Sequence, residues 1–444
     1  MKKILCVILA LLILTLAFSF TSCLKKEIID LEDYSIVIPK DSDITTKYCA
    51  ENLSNVVLEK TGIRLEILTD DEEEKDEELL IGETNRQESK TDAELKDGQY
   101  VLFKSDDKIV MKGYGIYVGA ACGDFVNKYA IAKEGKLDVS TVPVIKSPFT
   151  YAPEQNYTSV IFMIGDGMGE THIKMAEEKA SISFVAKSFP NIGTSVTRSL
   201  SVISNEAKFT DSAASGTAMA TGYKTFNGYI GLDKDKNIIK NVRELAHEKG
   251  AKTGVITTDL ITGATPSSYM CHSESRESTE ELQAQIDALV NGGLIDYCQG
   301  DVGDELTTKV KQALATLSKD NSSFFLMVEE GQIDKRAHNK DAQGVIDAVK
   351  RFNDAIAYAT QFALCHTGIA LVVTADHETG NLVETTPGNY YFASFNHTNK
   401  NVPIFAIGAG TAAFDEQKIE NTILAQFCAS AYSSEPFGDS TAYE

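Results

Sequence analysis

No CxxC pair occurs among the eight cysteines, which argues against a thiolate zinc module. Apart from Cys6 and Cys23 near the start, Cys49, Cys122, Cys271, Cys298, Cys365 and Cys428 are scattered. That spacing leaves open one or two disulfides in an exported chain, or simply small buried hydrophobes. Basic residues are few: 42 Lys and Arg against 64 Asp and Glu, a net charge of −22. A nucleic-acid surface needs a basic footprint, so no nucleic-acid partner is expected. Much of the acidity lies in Asp70–Glu74 and Asp76–Glu78, which read as a solvated loop. No GxSxG elbow is present, which removes one common route to a Ser-His-Asp triad.

Long apolar runs are also scarce, with one exception at the start, MKKILCVILALLILTLAFSFTSC. Lys2 and Lys3 precede an apolar stretch from Ile4 to Phe20, then small residues and Cys23. This predicts a signal peptide over residues 1–23, and Thr21-Ser22-Cys23 resembles a bacterial lipobox, with Phe20 where Leu is usual. The expectation is an exported chain, lipid-anchored through Cys23 on the outer face of a bacterial membrane. A retained transmembrane helix fits less well, because the run is near the lower limit of about 17 residues for a span.

Prolines number nine, and three of them, Pro143, Pro148 and Pro153, fall in one short stretch. They predict a linker over 136–157 between a small α/β domain at 24–135 and a larger domain at 158–432, with a tail at 433–444. In the first domain YSIVIP, IRLEIL, ELLIG, YVLFK and KIVMKG read as strands, and TTKYCAENLSNVVLEKTG and AACGDFVNKYA as helices. The run YSIVIP…EILTDDE…ELLIGETNR resembles the accessory domain that precedes the catalytic domains of some bacterial glycoside hydrolases. That resemblance implies a spacer or scaffold, with glycan contact as the alternative. In the larger domain SVIFMI, TGVITT, FFLMV, ALVVTA and VPIFAIG alternate with amphipathic helical stretches. Continuous apolar strands separated by helices predict an α/β fold, a doubly wound, mostly parallel sheet covered on both faces.

In such a sheet, sites form at the carboxyl edge of the strands. SVIFMI is followed by Gly165-Asp166-Gly167, FFLMV by Glu329 through Asp334 to His338, and ALVVT by Asp376-His377; Asn396-His397-Thr398 comes just before VPIFAIG. Each feature alone has a plain reading, an Asp as a turn residue or helix cap and a His as a loop residue. Together they put three of the seven histidines with several carboxylates at one rim, a donor set suited to Zn²⁺ with an open position. His172, His247, His272 and His366 lack such company and read as structural or surface residues. TDSAASGTAMATGYKT, residues 210–225, then fits as a closely packed helix of small residues with Ser212 at its N-terminus. There the helix dipole and free N–H groups favour an anion, and a serine beside zinc can ionise to a nucleophile.

These stretches, Thr210–Thr225 with IGDGMG, VEEGQIDKRAH, TADHETG and NHT…VPIFAIG, resemble the alkaline phosphatases, in the same order along the chain and over roughly 158–430. The resemblance implies hydrolysis of phosphate monoesters through a phosphoserine on Ser212, with two Zn²⁺ and one Mg²⁺. Asp334, His338 and His397 would bind one zinc, and Asp166, Asp376 and His377 the other. Asp166, Thr265 and Glu329 would hold the third ion, and Arg276 would grip phosphate bidentately. Asp211, Lys335 and Gly263 stand beside these groups. Gly263 occupies a position where relatives commonly carry Asp or His, so the third ion is expected to be weakly held and Lys335 to lack its carboxylate. The segment between His377 and His397 is short, which implies an open site and leaves the oligomeric state, a homodimer included, undecided. Phosphodiester hydrolysis on the same scaffold, and a non-catalytic metal- and glycan-binding surface protein, are the rival readings. Ser212 as nucleophile and Glu329 favour monoesters over the first, and the intact ligand set speaks against the second. A sulfatase is excluded by the lack of a Cys/Ser-x-Pro-x-Arg motif.

Overall fold

The computed structural model describes residues 26–91, 94–129, 134–303 and 305–439. The signal peptide and Cys23 lie outside the described residues. The chain forms two compact units, one of residues up to Ser42 with Ala50–Thr150, the other of Asp43–Cys49 with Tyr151 onward.

The first unit holds a six-stranded sheet in the order Ile67–Thr69, Ser35–Ile38, Glu78–Ile81, Lys108–Gly113, Gln99–Ser105, Phe149–Thr150. The first four strands are parallel and the last two pairings antiparallel. Strand pleating sends Val37, Leu80, Val110, Val101 and Phe103 into one apolar cluster with Leu68. The helix Ile44–Thr61 stops at Gly62, whose φ of +81° is the left-handed C-cap conformation that favours glycine. Lys136–Asp138 pairs with Ile28–Asp30, so strands of this unit extend into the stretch read as a linker.

The second unit is built on eight strands: β1 Ser159–Gly165, β2 Asn191–Val196, β3 Lys252–Thr257, β4 Tyr297–Gly300, β5 Phe324–Glu330, β6 Ile369–Thr374, β7 Val402–Gly408 and β8 Lys418–Glu420. Their order is β4-β3-β5-β1-β6-β7-β2-β8. β1, β5, β6 and β7 are buried along their whole length, as their unbroken apolar runs require when both faces are covered. Helices α1 Glu170–Ala180, α2 Ser212–Thr221, α3 Val242–Glu248, α4 Ala264–Ser268, α5 Gln332–His338, α6 Ala342–Cys365 and α7 Thr422–Ser430 do the covering, with others. Val160, Phe162 and Ile164 of β1 join Ala213, Met219 and Ala220 of α2, Leu245 and Ala246 of α3, and Leu424 and Cys428 of α7 in one core. α6 packs against α1 and against β1 and β6.

The expected doubly wound, mostly parallel sheet is thus present, with one strand that the apolar pattern does not distinguish. β7 runs antiparallel to both β6 and β2. This reversal puts the start of β7 at the same rim as the ends of β1, β5 and β6. His397, just before β7, therefore meets residues that follow the other strands. Five of the six cysteines among the described residues are buried, as small apolar side chains commonly are. No helix of the described residues is long and apolar enough to cross a membrane.

Candidate functional site

Parallel register aligns Thr257, Glu329, Ile164 and Thr374 in one row across β3, β5, β1 and β6. Two residues beyond that row come Asp259, Asp166 and Asp376, each just past its strand. Strand period keeps positions i and i+2 on one face, so the carboxylates gather instead of alternating. Asp166 extends the ladder by donating its N–H to the Glu330 carbonyl at 3.1 Å. Asp376 is locked by the N–H groups of Gly167 and His377, at 3.0 and 2.9 Å, on its Oδ1.

α2 brings the nucleophile candidate. All ten of its residues are buried, and Asp211 caps it, its Oδ1 accepting the Ala214 N–H at 2.9 Å. The small residues have a steric cause: a Cβ on Gly216 would lie 2.8 Å from Ser268 Oγ and 3.4 Å from Thr265 Cα, so only glycine lets α2 and α4 approach this closely. Ser215 ties the helix to the rim, its hydroxyl donating to the Asp376 carbonyl at 2.6 Å. Ser212, the first helical residue, sits with Oγ 3.2 Å from His377 Nε2. The other oxygen of Asp211 accepts the Gly228 N–H at 2.9 Å and faces Arg276 Nη1 at 3.4 Å, which turns the guanidinium toward the helix start.

Three imidazoles converge with their Nδ1 atoms already committed. His338 Nδ1–H donates to the Phe395 carbonyl, His397 Nδ1–H to that of Thr210 at 2.8 Å, and His377 Nδ1–H to Thr379 Oγ1 at 3.2 Å. A carbonyl oxygen only accepts, so the protons of His338 and His397 are on Nδ1 and their Nε2 atoms carry lone pairs. Those two Nε2 atoms are 3.0 Å apart and lie 3.3 and 3.4 Å from Asp334 Oδ1. Lone pairs aimed at one another and at a carboxylate repel unless a cation sits among them, and outer Nδ1–H bonds of this kind hold metal-binding imidazoles in place. His397 is delivered by a two-residue antiparallel ladder in which it faces Thr379. Thr379 Oγ1 also donates to Asp334, which links the two sides of the site.

Two groups of ligand atoms each lie within 4.8 Å of one another, Asp334 with His338 and His397, and Asp166 with Asp334 and His377. Asp334 thus faces both groups, whereas the sequence assigned it to one ion. Asp376 Oδ2 lies 3.1 Å from His377 Nε2 and, like Asp166 Oδ1 and Thr265 Oγ1, is buried with no hydrogen-bond partner. Orphaned buried acceptors of this sort mark a binding role. Burial, then the charges of Asp376, Asp334 and Glu329, holds the Asp166 carboxyl well above the usual range. Burial likewise pushes Glu329 up to about 8, with Asp259 and Asp376 adding to it against a hydrogen bond from Thr257. Asp334 goes the other way: burial alone would raise it, but the imidazoles of His338, His397 and His377 around it, when they carry charge, hold it well below, the part a cation takes once their Nε2 atoms are lone pairs. Three carboxylates this close can all be ionised only with cations between them. The donor set fits two metal ions with N and O ligands.

One expectation is corrected. Lys335 does not lack a carboxylate, because its ammonium pairs with Asp259, a residue that sequence reasoning passed over. The signal was available: Asp259 follows its apolar strand at the same offset as Asp166 and Asp376. Thr379 was also missed, and only the fold shows its position between His377 and Asp334. Gly263 opens α4 next to Thr265. Of the remaining histidines, His172 is fully buried, its Nδ1 accepting the Gly169 N–H at 3.1 Å, and burial drops it to about 4. His272 bridges Gly231 and Glu244, and His366 bonds the Phe362 carbonyl. The plain reading suits all three.

A family model described as alkaline phosphatase matches residues 157–304 and 301–394, more than half of the chain. The chain belongs to the alkaline phosphatase family. Alkaline phosphatase 4 of Bacillus subtilis is 30% identical over 287 residues, 50% of this chain and 61% of that protein. Alkaline phosphatase 3 of the same organism is 29% identical over 332 residues, 60% of this chain and 71% of the relative. The match with the first of these thus spans about three-fifths of the relative's length. The solved structure of the alkaline phosphatase from the Antarctic bacterium TAB5 superposes with a TM-score of 0.57 at 27% identity, over 63% of this chain and 98% of that one. A variant of that enzyme with Mg bound in its M3 site gives 0.55 at the same identity, over 63% of this chain and 99% of its own.

Proposed function

We propose that this member of the family is an exported phosphomonoesterase that works through a phosphoserine on Ser212. The observation that carries the reading is the convergence of three imidazole Nε2 atoms and three buried carboxylates beside a serine at a helix N-terminus. Asp334, His338 and His397 would hold one Zn²⁺, Asp166, Asp376 and His377 the other, with Asp334 close to both. Asp166, Thr265 and Glu329 would hold Mg²⁺. Ions bound there would polarise the phosphoryl oxygens and lower the pKa of a hydroxyl or water.

The chain's own groups then account for the rest. Ser212 Oγ, its proton released to solvent, attacks phosphorus in line, and the bond to the leaving alkoxide breaks as the P–Oγ bond forms, the alkoxide taking a proton from water. Free N–H groups at the start of α2 favour the oxyanion at Oγ. Arg276, fixed by Asp211, neutralises the equatorial oxygens with paired N–H donors. In the second half-reaction water attacks phosphorus, the P–Oγ bond breaks, and the serine takes back a proton as phosphate leaves. The Asp211 cap keeps Ser212 at the first helical position through both steps.

The anchor proposed at Cys23 would hold the enzyme at a membrane, with the first unit as spacer or glycan contact. The sequence pattern supports the anchor. Both potential metal-binding groups among the described residues fall in the second unit, which fits a non-catalytic first unit.

Imidazoles ligate metal only when neutral, so the assay belongs at alkaline pH. An aryl phosphate monoester should be hydrolysed by the zinc-loaded chain. A chelator should reduce the rate to below about 1% of its starting value, and added Zn²⁺ should restore it. Zinc-loaded protein that ignores monoesters but cleaves a diester would overturn the monoesterase reading.

A further inference from the structure

Residue 263 is a glycine at the entrance to the proposed third-ion site, and the side chain it lacks has a substitute. A Cβ built on Gly263 would lie 3.3 Å from Asp259 Oδ2 and 3.0 Å from the Leu260 carbonyl. The Asp259 carboxylate therefore borders the space that a side chain at 263 would enter. Its other oxygen, Oδ1, pairs with the Lys335 ammonium. The Asp259 N–H donates to Thr257 Oγ1 at 2.9 Å, and that same hydroxyl donates to Glu329. One threonine thus joins Asp259 to a proposed ligand of the third ion. A Cβ on Gly331 would sit 3.0 Å from Asp259 Cβ and 3.6 Å from Glu329 Oε2, so the two acidic side chains flank one glycine. Two further atoms independently point to a ligand. Thr265, only 1% exposed, leaves its Oγ1 without a hydrogen-bond partner, and the buried Oδ1 of Asp166 has none either.

We infer that Asp259 supplies from the end of β3 the carboxylate that position 263 does not, holding Lys335 at the rim and strengthening the third cation site of Asp166, Thr265 and Glu329. The inference rests on the proposed reading of that site. Charge supports it: Asp259 adds a carboxylate beside Glu329 and Asp166, and its pairing keeps the Lys335 ammonium from standing uncompensated beside a cation. Asp259 acts as a positioning residue, through Lys335 and through the field at the ion. It also revises the expectation drawn from Gly263 alone. The third ion should not be weakly held, and a new carboxylate at 263 would meet one already present.

The test is calorimetric titration of Mg²⁺ into the zinc-loaded full chain, a readout of binding and not of turnover. Asp259→Asn should weaken Mg²⁺ about tenfold, the size of effect typical of groups that support metal ligands. Gly263→Asp in the otherwise native chain should not tighten Mg²⁺, whereas the same change added to Asp259→Asn should recover most of the loss. That rescue would separate a local carboxylate effect from a folding defect. Glu329→Gln serves as the reference. If it abolishes Mg²⁺ binding while Asp259→Asn stays within about twofold of the native chain, the inference alone fails. If Glu329→Gln binds Mg²⁺ normally, the third-ion site is misplaced and the inference falls with it.

Discussion

Replacing Ser212 with alanine is expected to lower kcat/KM for an aryl phosphate monoester by about 10⁴-fold or more, the scale at which removal of a nucleophile operates. The change removes one oxygen and little else. Asp211 still caps α2 through the Ala214 N–H, Ser215 still binds the Asp376 carbonyl, and the small-residue contact at Gly216 is untouched. Zinc content should therefore hold while turnover collapses. That pairing separates loss of a nucleophile from loss of the metal centre. Steady-state kinetics with metal analysis on the same preparation checks it, and a variant keeping more than about 1% of native kcat/KM would speak against serine as nucleophile.

Asp334→Asn should act through the metals. Its Oδ1 is within 3.4 Å of the Nε2 atoms of His338 and His397, and its carboxylate also belongs to the group with Asp166 and His377. An amide has nearly the same volume but no charge, and its NH₂ can donate to these lone pairs in place of a cation, while its neutral oxygen is a weaker metal ligand than a carboxylate. We expect bound zinc to fall from two ions per chain to fewer than one, and kcat/KM to fall about 10³-fold, because the change weakens both sites at once. The measurement is zinc per chain after dialysis against buffer of defined free zinc. A variant that keeps both ions would show that Asp334 is a neighbour of the metals and not a shared ligand.

Much of this site is legible in the amino-acid sequence, because its chemistry follows strand ends. An apolar run ending in Asp marks the carboxyl edge of a buried strand, and the sheet's register then does the assembling. Asp166, Asp376 and Asp259 obey one rule, two residues past a common row, yet only the first two stand out in the sequence, Asp376 by the adjacent His377 and Asp166 by its Gly-Asp-Gly turn, whereas Asp259 has neither. Strand direction is not legible in the same way. VPIFAIG is as apolar as the parallel strands, and nothing in it declares that β7 is reversed, although the meeting of His397 with Asp334 depends on that reversal. Partners set by side-chain reach are hidden as well. The ion pair of Lys335 with Asp259 and the double role of Thr379 join residues far apart in the chain, and neither has a local pattern. The glycine at 263 shows the cost of judging a position alone: the missing side chain is visible, and the carboxylate that borders its space is four residues away in sequence.

The central claim is that phosphate passes through Ser212. The most direct measurement is acid quench of the zinc-loaded chain with excess phosphate monoester, followed by proteolysis and mass spectrometry of the peptide carrying Ser212. The account predicts the added mass of one phosphoryl group on Ser212, present with zinc, lost on chelation and absent from Ser212→Ala. A chain that turns over the monoester under these conditions, yet yields only unmodified Ser212 peptide or carries the phosphoryl group on another residue, would contradict it.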